Sequence, residues 1–154
     1  MNNFVKYGSL AVLSAALFAS GANAADVVHN QENAKSPIAS STMVPPGYNT
    51  FYISGTTGKG ADTAEQTAAT LAGLKAQMAK MGLTFGDIVQ AHVFLVADPK
   101  TGKMDFAGMN SSWMKEFGTA EQPNKPARVT VQVAGLAGGD AFVEIEFVAV
   151  KKAN

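Results

Sequence analysis

The sequence predicts an α+β domain with two helices lying on one face of a sheet. Three observations carry that prediction. Leu71, Leu74, Met78 and Met81 recur at helical spacing, β-branched runs occupy 88–96, 128–133 and 142–150, and glycine- or proline-rich turns separate these segments. The resulting order is strand, helix, strand, helix, strand, strand.

Each element has its own local warrant. Residues 25–49 are polar and then punctuated by Pro37, Pro45, Pro46 and Gly47, which predicts an extended arm and a turn. Phe51-Tyr52-Ile53 is a short apolar strand expected to stop at Ser54-Gly55, and 56–60 is a glycine-rich turn without the Lys and Ser/Thr spacing of a phosphate-binding loop. Asp62 followed by Glu65 fits a capping box, so a helix is expected over 62–81, with Gly82 as its stop. The run 88–96 is apolar in both phases, as a central strand would be. Pro99 and Gly102 mark a loop over 98–102. Phe106, Met109, Trp113 and Phe117 then line one face of a second helix, which Gly118 ends. The last two strands are separated by Gly135, Gly138 and Gly139.

Alternation within those strands has a consequence for the faces of the sheet. Val129, Val131 and Val133 alternate with Arg128, Thr130 and Gln132, and Val143, Ile145 and Phe147 alternate with Glu144 and Glu146. The apolar phase is expected under the helices. The charged phase would then be solvated or covered by another subunit.

Composition restricts the function classes. The chain has 154 residues, with twelve basic and twelve acidic side chains, a formal net charge of zero, and no cysteine. A neutral surface is poorly suited to a run of phosphates, so nucleic acid is not an expected partner. Absent cysteines remove disulfides, thiolate nucleophiles and cysteine-based zinc sites. His29 and His92 stand apart, without a neighbouring nucleophile or second ligand, so no metal site is expected.

The first 24 residues read as a separate segment. Lys6 precedes the apolar run 8–19, and Ala22-Asn23-Ala24 supplies the small residues of a signal-peptidase site. That run falls short of the roughly 20 residues needed to cross a bilayer. The expected organisation is a signal peptide over 1–24 cleaved after Ala24 and an arm with its first turn over 25–49. Residues 50–154 then complete a single domain spanning 33–152. The mature protein is expected to be periplasmic or secreted, with no membrane association after cleavage.

Eleven of the twelve basic residues are lysine, and Arg128 is the only arginine. A guanidinium offers a rigid fork of donors that matches a carboxylate, whereas an ammonium does not. If the last two strands pair, Arg128 and Thr130 face the same space as Glu144 and Glu146. Two interpretations are open at this point: a structural Arg–Glu pair, or a fork held for an anionic ligand.

The residues also carry a family resemblance. Pro126-Ala127-Arg128-Val129-Thr130-Val131, then Leu136, then Val143-Glu144-Ile145-Glu146 with Ala149-Val150, resembles the C-terminal signature of the RidA/YjgF family of reactive intermediate deaminases. The likeness extends upstream through Ile53-Ser54-Gly55, Gln66, Leu71, Gly82, Asp87-Ile88-Val89, Phe106, Asn110 and Phe117. It implies a chorismate-mutase-like α+β fold, with a mixed sheet and two helices on one face. It further implies a homotrimer with a barrel-like centre and sites in the clefts between subunits.

The resemblance also assigns roles. Arg128 would bind the substrate carboxylate and Glu144 would help to place a hydrolytic water, while Ser54, Gly55, Thr130, Asn110, Trp113 and Ser41 would fall at substrate-binding positions. The implied reaction is hydrolysis of 2-imino or 2-enamino acids to 2-keto acids and ammonia without a cofactor. Departures from the family pattern are Ser41 at the pocket tyrosine, Thr130 at the usual cysteine, Trp113 at a common tyrosine, and a longer loop over 98–104. A second expectation, motivated by Ser41, is a non-catalytic trimer that binds small carboxylic acids or client proteins. Ribonuclease activity, also attached to this family, is disfavoured by the neutral charge and the lack of a histidine pair.

Overall fold

A computed structural model describes residues 25–137 and 139–153. The signal-peptide expectation therefore lies outside the described residues. Strands β1 (Val28–Asn30) and β2 (Ser41–Met43) pair antiparallel within the N-terminal arm. The main elements follow in chain order: β3 (Tyr48–Thr57), α1 (Thr63–Lys80), β4 (Ile88–Val96), α2 (Phe106–Trp113), β5 (Ala127–Val133) and β6 (Val143–Lys152). The four longer strands form a mixed sheet in the order β3-β6-β4-β5, in which only β4 and β5 run parallel. Both helices pack on one face, as the sequence predicts.

The cap of α1 shows why the helix begins where it does. The Asp62 carboxylate accepts from the Glu65 amide at 2.8 Å, and the Glu65 carboxylate accepts from the Ala61 amide at 2.9 Å. The first bond satisfies an orphan amide of the opening turn, and the second ties the Glu65 side chain back to the residue before the cap. Leu71, Leu74 and Met78 are buried, whereas Met81 lies past the helix end and is exposed. They meet Ala91, Val93, Leu95, Ile145 and Phe147 of the sheet, and Met109, Trp113 and Phe117 from the α2 region, in one apolar core. No helix among the described residues is long and apolar enough to cross a membrane.

Besides the end of α2, which comes at Trp113 rather than at Gly118 so that Phe117 packs from the turn that follows, three expectations need correction. First, β3 does not stop at Ser54-Gly55. Ile53 opposes Phe147 and Thr56 opposes Ile145, so Ser54 and Gly55 together face the single residue Glu146. This is a β-bulge, which absorbs the extra residue while the strand continues to Thr57.

Second, the last two strands are not neighbours, because β4 lies between them. Arg128 opposes Ala91, which opposes Phe147, and all three point to the helix side. Glu146 opposes His92 and Glu144 opposes Phe94, on the other side. Arg128 and Glu144 of one chain therefore project from opposite faces of the sheet.

Third, the apolar phase of β5 is the open one. Val129 and Val131 are exposed at one edge of the open face, and Tyr52, 83% exposed, stands on β3 at the opposite edge. Alternation defines two faces of a strand but does not say which face its sheet will cover. Here the covered face of β5 carries Arg128, because α2 has a side chain ready to receive it.

Candidate functional site

The covered face of β5 and one side of α2 build a cationic site. Helical spacing puts Phe106, Met109, Asn110 and Trp113 along adjacent turns. Arg128 reaches this surface from the strand. Its Nη2 donates to Asn110 Oδ1 at 2.8 Å, and its Nη1 approaches the Met109 sulfur at 3.7 Å. The guanidinium carbon lies 4.5 Å from the Trp113 ring centre and 5.8 Å from that of Phe106.

No carboxylate among the described residues pairs with this guanidinium, since the ion pairs are Lys75–Glu116 and His92–Glu146. Burial lowers its pKa to about 10, because desolvation penalises the charged form. It still carries its charge at neutral pH. A guanidinium has five N–H donors, and here only one has a strong acceptor. Thr130, two residues along the same face of β5, holds a buried hydroxyl with no hydrogen-bond partner. A cation and an unused hydroxyl thus share one surface, which suits a small oxyanion.

Glu144 belongs to a different surface. A Cβ placed on Gly55 would lie 2.0 Å from Glu144 Oε1, so the carboxylate occupies space that only glycine leaves open beside the bulge. Ser54, exposed in the same bulge, adjoins it. On this face Glu146 accepts from His92 Nδ1 at 2.6 Å, and Gln90 Nε2 donates to His92 Nε2 at 3.0 Å.

The structure consequently sorts the sequence-predicted residues into two groups. Arg128, Asn110, Trp113 and Thr130 come together on the helix side, while Ser54, Gly55 and Glu144 come together at the bulge. Ser41 joins neither group, because its hydroxyl accepts from Asn30 Nδ2 at 2.6 Å within the β1–β2 ladder. Trp113 is 0% exposed, so within one chain its ring is a support for Arg128 rather than a surface for a ligand.

Sequence reasoning missed the roles of Phe106 and Met109 beside Arg128. Their spacing was visible, but the same apolar stripe also specifies core, and Phe106 proves to be 44% exposed. The pairing of His92 with Glu146 was hidden for another reason, since it depends on which strands are neighbours.

The glycine-rich turn after β3 has a packing role. Together with Gln66, Asp140 and Ala141 it lines a cleft of about 280 Å³. Gln66 Nε2 donates to the carbonyls of Gly60 and Asp140, and its Oε1 accepts from the Phe142 amide. A Cβ on Gly58 would lie 2.4 Å from the Thr70 amide nitrogen, so glycine lets this turn press against α1.

Comparison with known proteins places this geometry in context. The family model described as Endoribonuclease L-PSP matches residues 40–151. The RutC family protein YoaB of Escherichia coli is 41% identical over 102 residues, 66% of this chain and 82% of YoaB. A RutC family protein of Haemophilus influenzae is 41% identical over 92 residues, 60% of this chain and 66% of that protein. "Putative reactive intermediate deaminase TdcF" of E. coli is 38% identical over 93 residues, 60% of this chain and 67% of TdcF.

Solved structures agree with the fold. The crystal structure of E. coli TdcF with bound serine superposes with a TM-score of 0.57 at 29% identity, covering 79% of this chain and 97% of that one. A YjgF family member from Neisseria meningitidis gives 0.58 at 26% identity, covering 84% and 98%.

The Gly55–Glu144 contact can be tested without any assay of function. Gly55→Ala should leave a cooperative thermal transition within about 1 kcal/mol of the unmodified protein, because the group displaced is the end of a flexible side chain. A crystal structure of the variant should show the Glu144 carboxylate turned away from β3. A carboxylate still in place, together with a large loss of stability, would contradict this packing.

Proposed function

Because the chain belongs to the endoribonuclease L-PSP family, the RidA/YjgF family that its residues resemble, we propose that it hydrolyses small 2-imino or 2-enamino acids to 2-keto acids and ammonia. The observation that carries this proposal is the desolvated guanidinium of Arg128, held by a neutral amide and two aromatic rings and left without a carboxylate. A substrate carboxylate supplies the missing charge through the bidentate geometry that arginine favours. Serine bound to TdcF is consistent with this chemistry, since it also presents an α-carboxylate.

The reaction makes modest demands on the protein. Water adds to the electrophilic imine carbon, and the resulting tetrahedral carbon expels ammonia as the C=O bond forms. Holding the carboxylate fixes that carbon, and orienting one water completes the reacting pair. Arg128 performs the first task. Glu144 performs the second, with the Ser54-Gly55 backbone as the floor beside it and Thr130 lending its hydroxyl.

One chain cannot bring Arg128 and Glu144 to a single ligand, since they leave opposite faces of the sheet. The proposal therefore includes a homotrimer in which one subunit supplies the Arg128 surface and another the bulge with Glu144. The exposed Tyr52, Val129 and Val131 support such burial of the open face. Loss of the tyrosine at Ser41, with that serine engaged by Asn30, favours a second reading in which the trimer binds small carboxylic acids without turnover. The neutral net charge supports deamination over cleavage of RNA.

The proposed site of action is outside the cytoplasm. Intact mass of the protein recovered from an expressing Gram-negative envelope should correspond to a chain beginning at Ala25. Recovery of the chain starting at Met1, in the cytosol, would oppose export.

The catalytic proposal is tested by coupling an amino-acid oxidase to the mature protein and trapping the remaining imine with semicarbazide. The unmodified protein should accelerate imine loss, and Arg128→Ala should reduce kcat/KM by about a hundredfold or more, as expected for a charge-assisted contact worth several kcal/mol. Equal rates for the two proteins would remove Arg128 from the mechanism. Tight keto-acid binding by calorimetry without turnover would favour the binding reading.

A further inference from the structure

Behind Arg128 stands a continuous aromatic column. Phe85 stacks on Phe117 at 5.0 Å between ring centres, and Phe117 stacks on Trp113 at 4.3 Å. The guanidinium of Arg128 lies 4.5 Å from the Trp113 ring. Since Phe117 covers one face of the indole, the guanidinium takes the other. At the far end, Lys75 Nζ lies 5.5 Å from the Phe85 ring centre and pairs with Glu116.

The indole is also held at its edge. Trp113 Nε1 donates to the Pro37 carbonyl at 2.9 Å, which ties it to the N-terminal arm. That arm is in turn fixed beside the start of β5, where the Ala39 amide donates to the Pro126 carbonyl at 3.1 Å and Lys125 Nζ donates to the Ala34 carbonyl at 3.2 Å. Trp113 has therefore neither face nor edge free to tilt.

We propose that Trp113 is a positioning residue that sets the plane of the Arg128 fork, while Asn110 sets its rotation, so that affinity for a carboxylate depends on an indole that no ligand touches. This rests on the reading of Arg128 as a carboxylate receptor. A guanidinium packed on an aromatic face keeps the N–H groups in its plane available for hydrogen bonding. With Nη2 anchored on Asn110, the donors left over have no strong acceptor among the described residues. A Trp113 that merely filled the core would influence stability alone.

The test uses the mature protein, pyruvate as the probe, and two substitutions. Trp113→Phe keeps a stacking face and loses the N–H, whereas Trp113→Leu keeps an apolar side chain and loses the face. By calorimetry, Trp113→Phe should bind pyruvate within about threefold of the unmodified protein, and Trp113→Leu about tenfold more weakly. In the imine assay that loss should appear in KM while the protein still melts cooperatively. Pyruvate affinity unchanged in a folded Trp113→Leu would overturn the proposal.

A second measurement needs no variant. Trp113 is the only tryptophan of the chain, so its emission reports on the charge stacked against it. Emission should change saturably with pyruvate, at the midpoint calorimetry gives, and not with acetone. Flat emission alongside saturable binding would also overturn the proposal. If the unmodified protein binds no pyruvate, the carboxylate reading of Arg128 fails and takes this proposal with it. That outcome is distinct from binding that ignores Trp113.

Discussion

The arrangement of this domain turns on a positive charge held away from water without a negative one beside it. An uncompensated ion in a protein interior costs several kcal/mol. Against that cost, a hydrogen bond from a charged donor returns about 1.5–3 kcal/mol, and an aromatic face about 0.5–2 kcal/mol. Asn110 and Trp113 therefore make Arg128 tolerable where it sits and leave it receptive to an anion. A structural salt bridge to Glu144 would have quenched that receptivity, and the strand order prevents it.

The same strand order links the site to assembly. Placing β4 between β5 and β6 puts Arg128 under α2 and sends Glu144 to the open face. The valines of β5 and Tyr52 of β3 are then exposed at the two edges of the open face, with Glu144, Glu146 and His92 among the residues between them. Covering that surface with other copies of the chain would satisfy the hydrophobic requirement and could bring the two groups of site residues together. Fold and proposed chemistry thus depend on one topological fact.

Much of the fold was legible in the sequence because it is written in local signals. The Asp62 and Glu65 cap, the Leu71-Leu74-Met78 stripe and the doubly apolar β4 each follow from spacing along a single element. Strand neighbours were not legible, because alternation assigns a residue to one of two faces without saying what pairs with the strand or which face is covered. The Ser54-Gly55 bulge was mistaken for a strand end for a related reason: a glycine that makes room for a side chain and one that stops a strand look alike in sequence. Within the site, Arg128 stood out as the only arginine, whereas Trp113 entered only through the family resemblance, because the stripe that carries it equally specifies core.

The division of the site between two surfaces is tested most directly by a crystal structure of residues 25–154 soaked with pyruvate. It should show a trimer with the pyruvate carboxylate on Arg128 of one subunit and the carboxylate of Glu144 from a neighbouring subunit facing the keto carbon. Pyruvate bound away from Arg128, or Arg128 and Glu144 opening into separate cavities in the assembled protein, would contradict it.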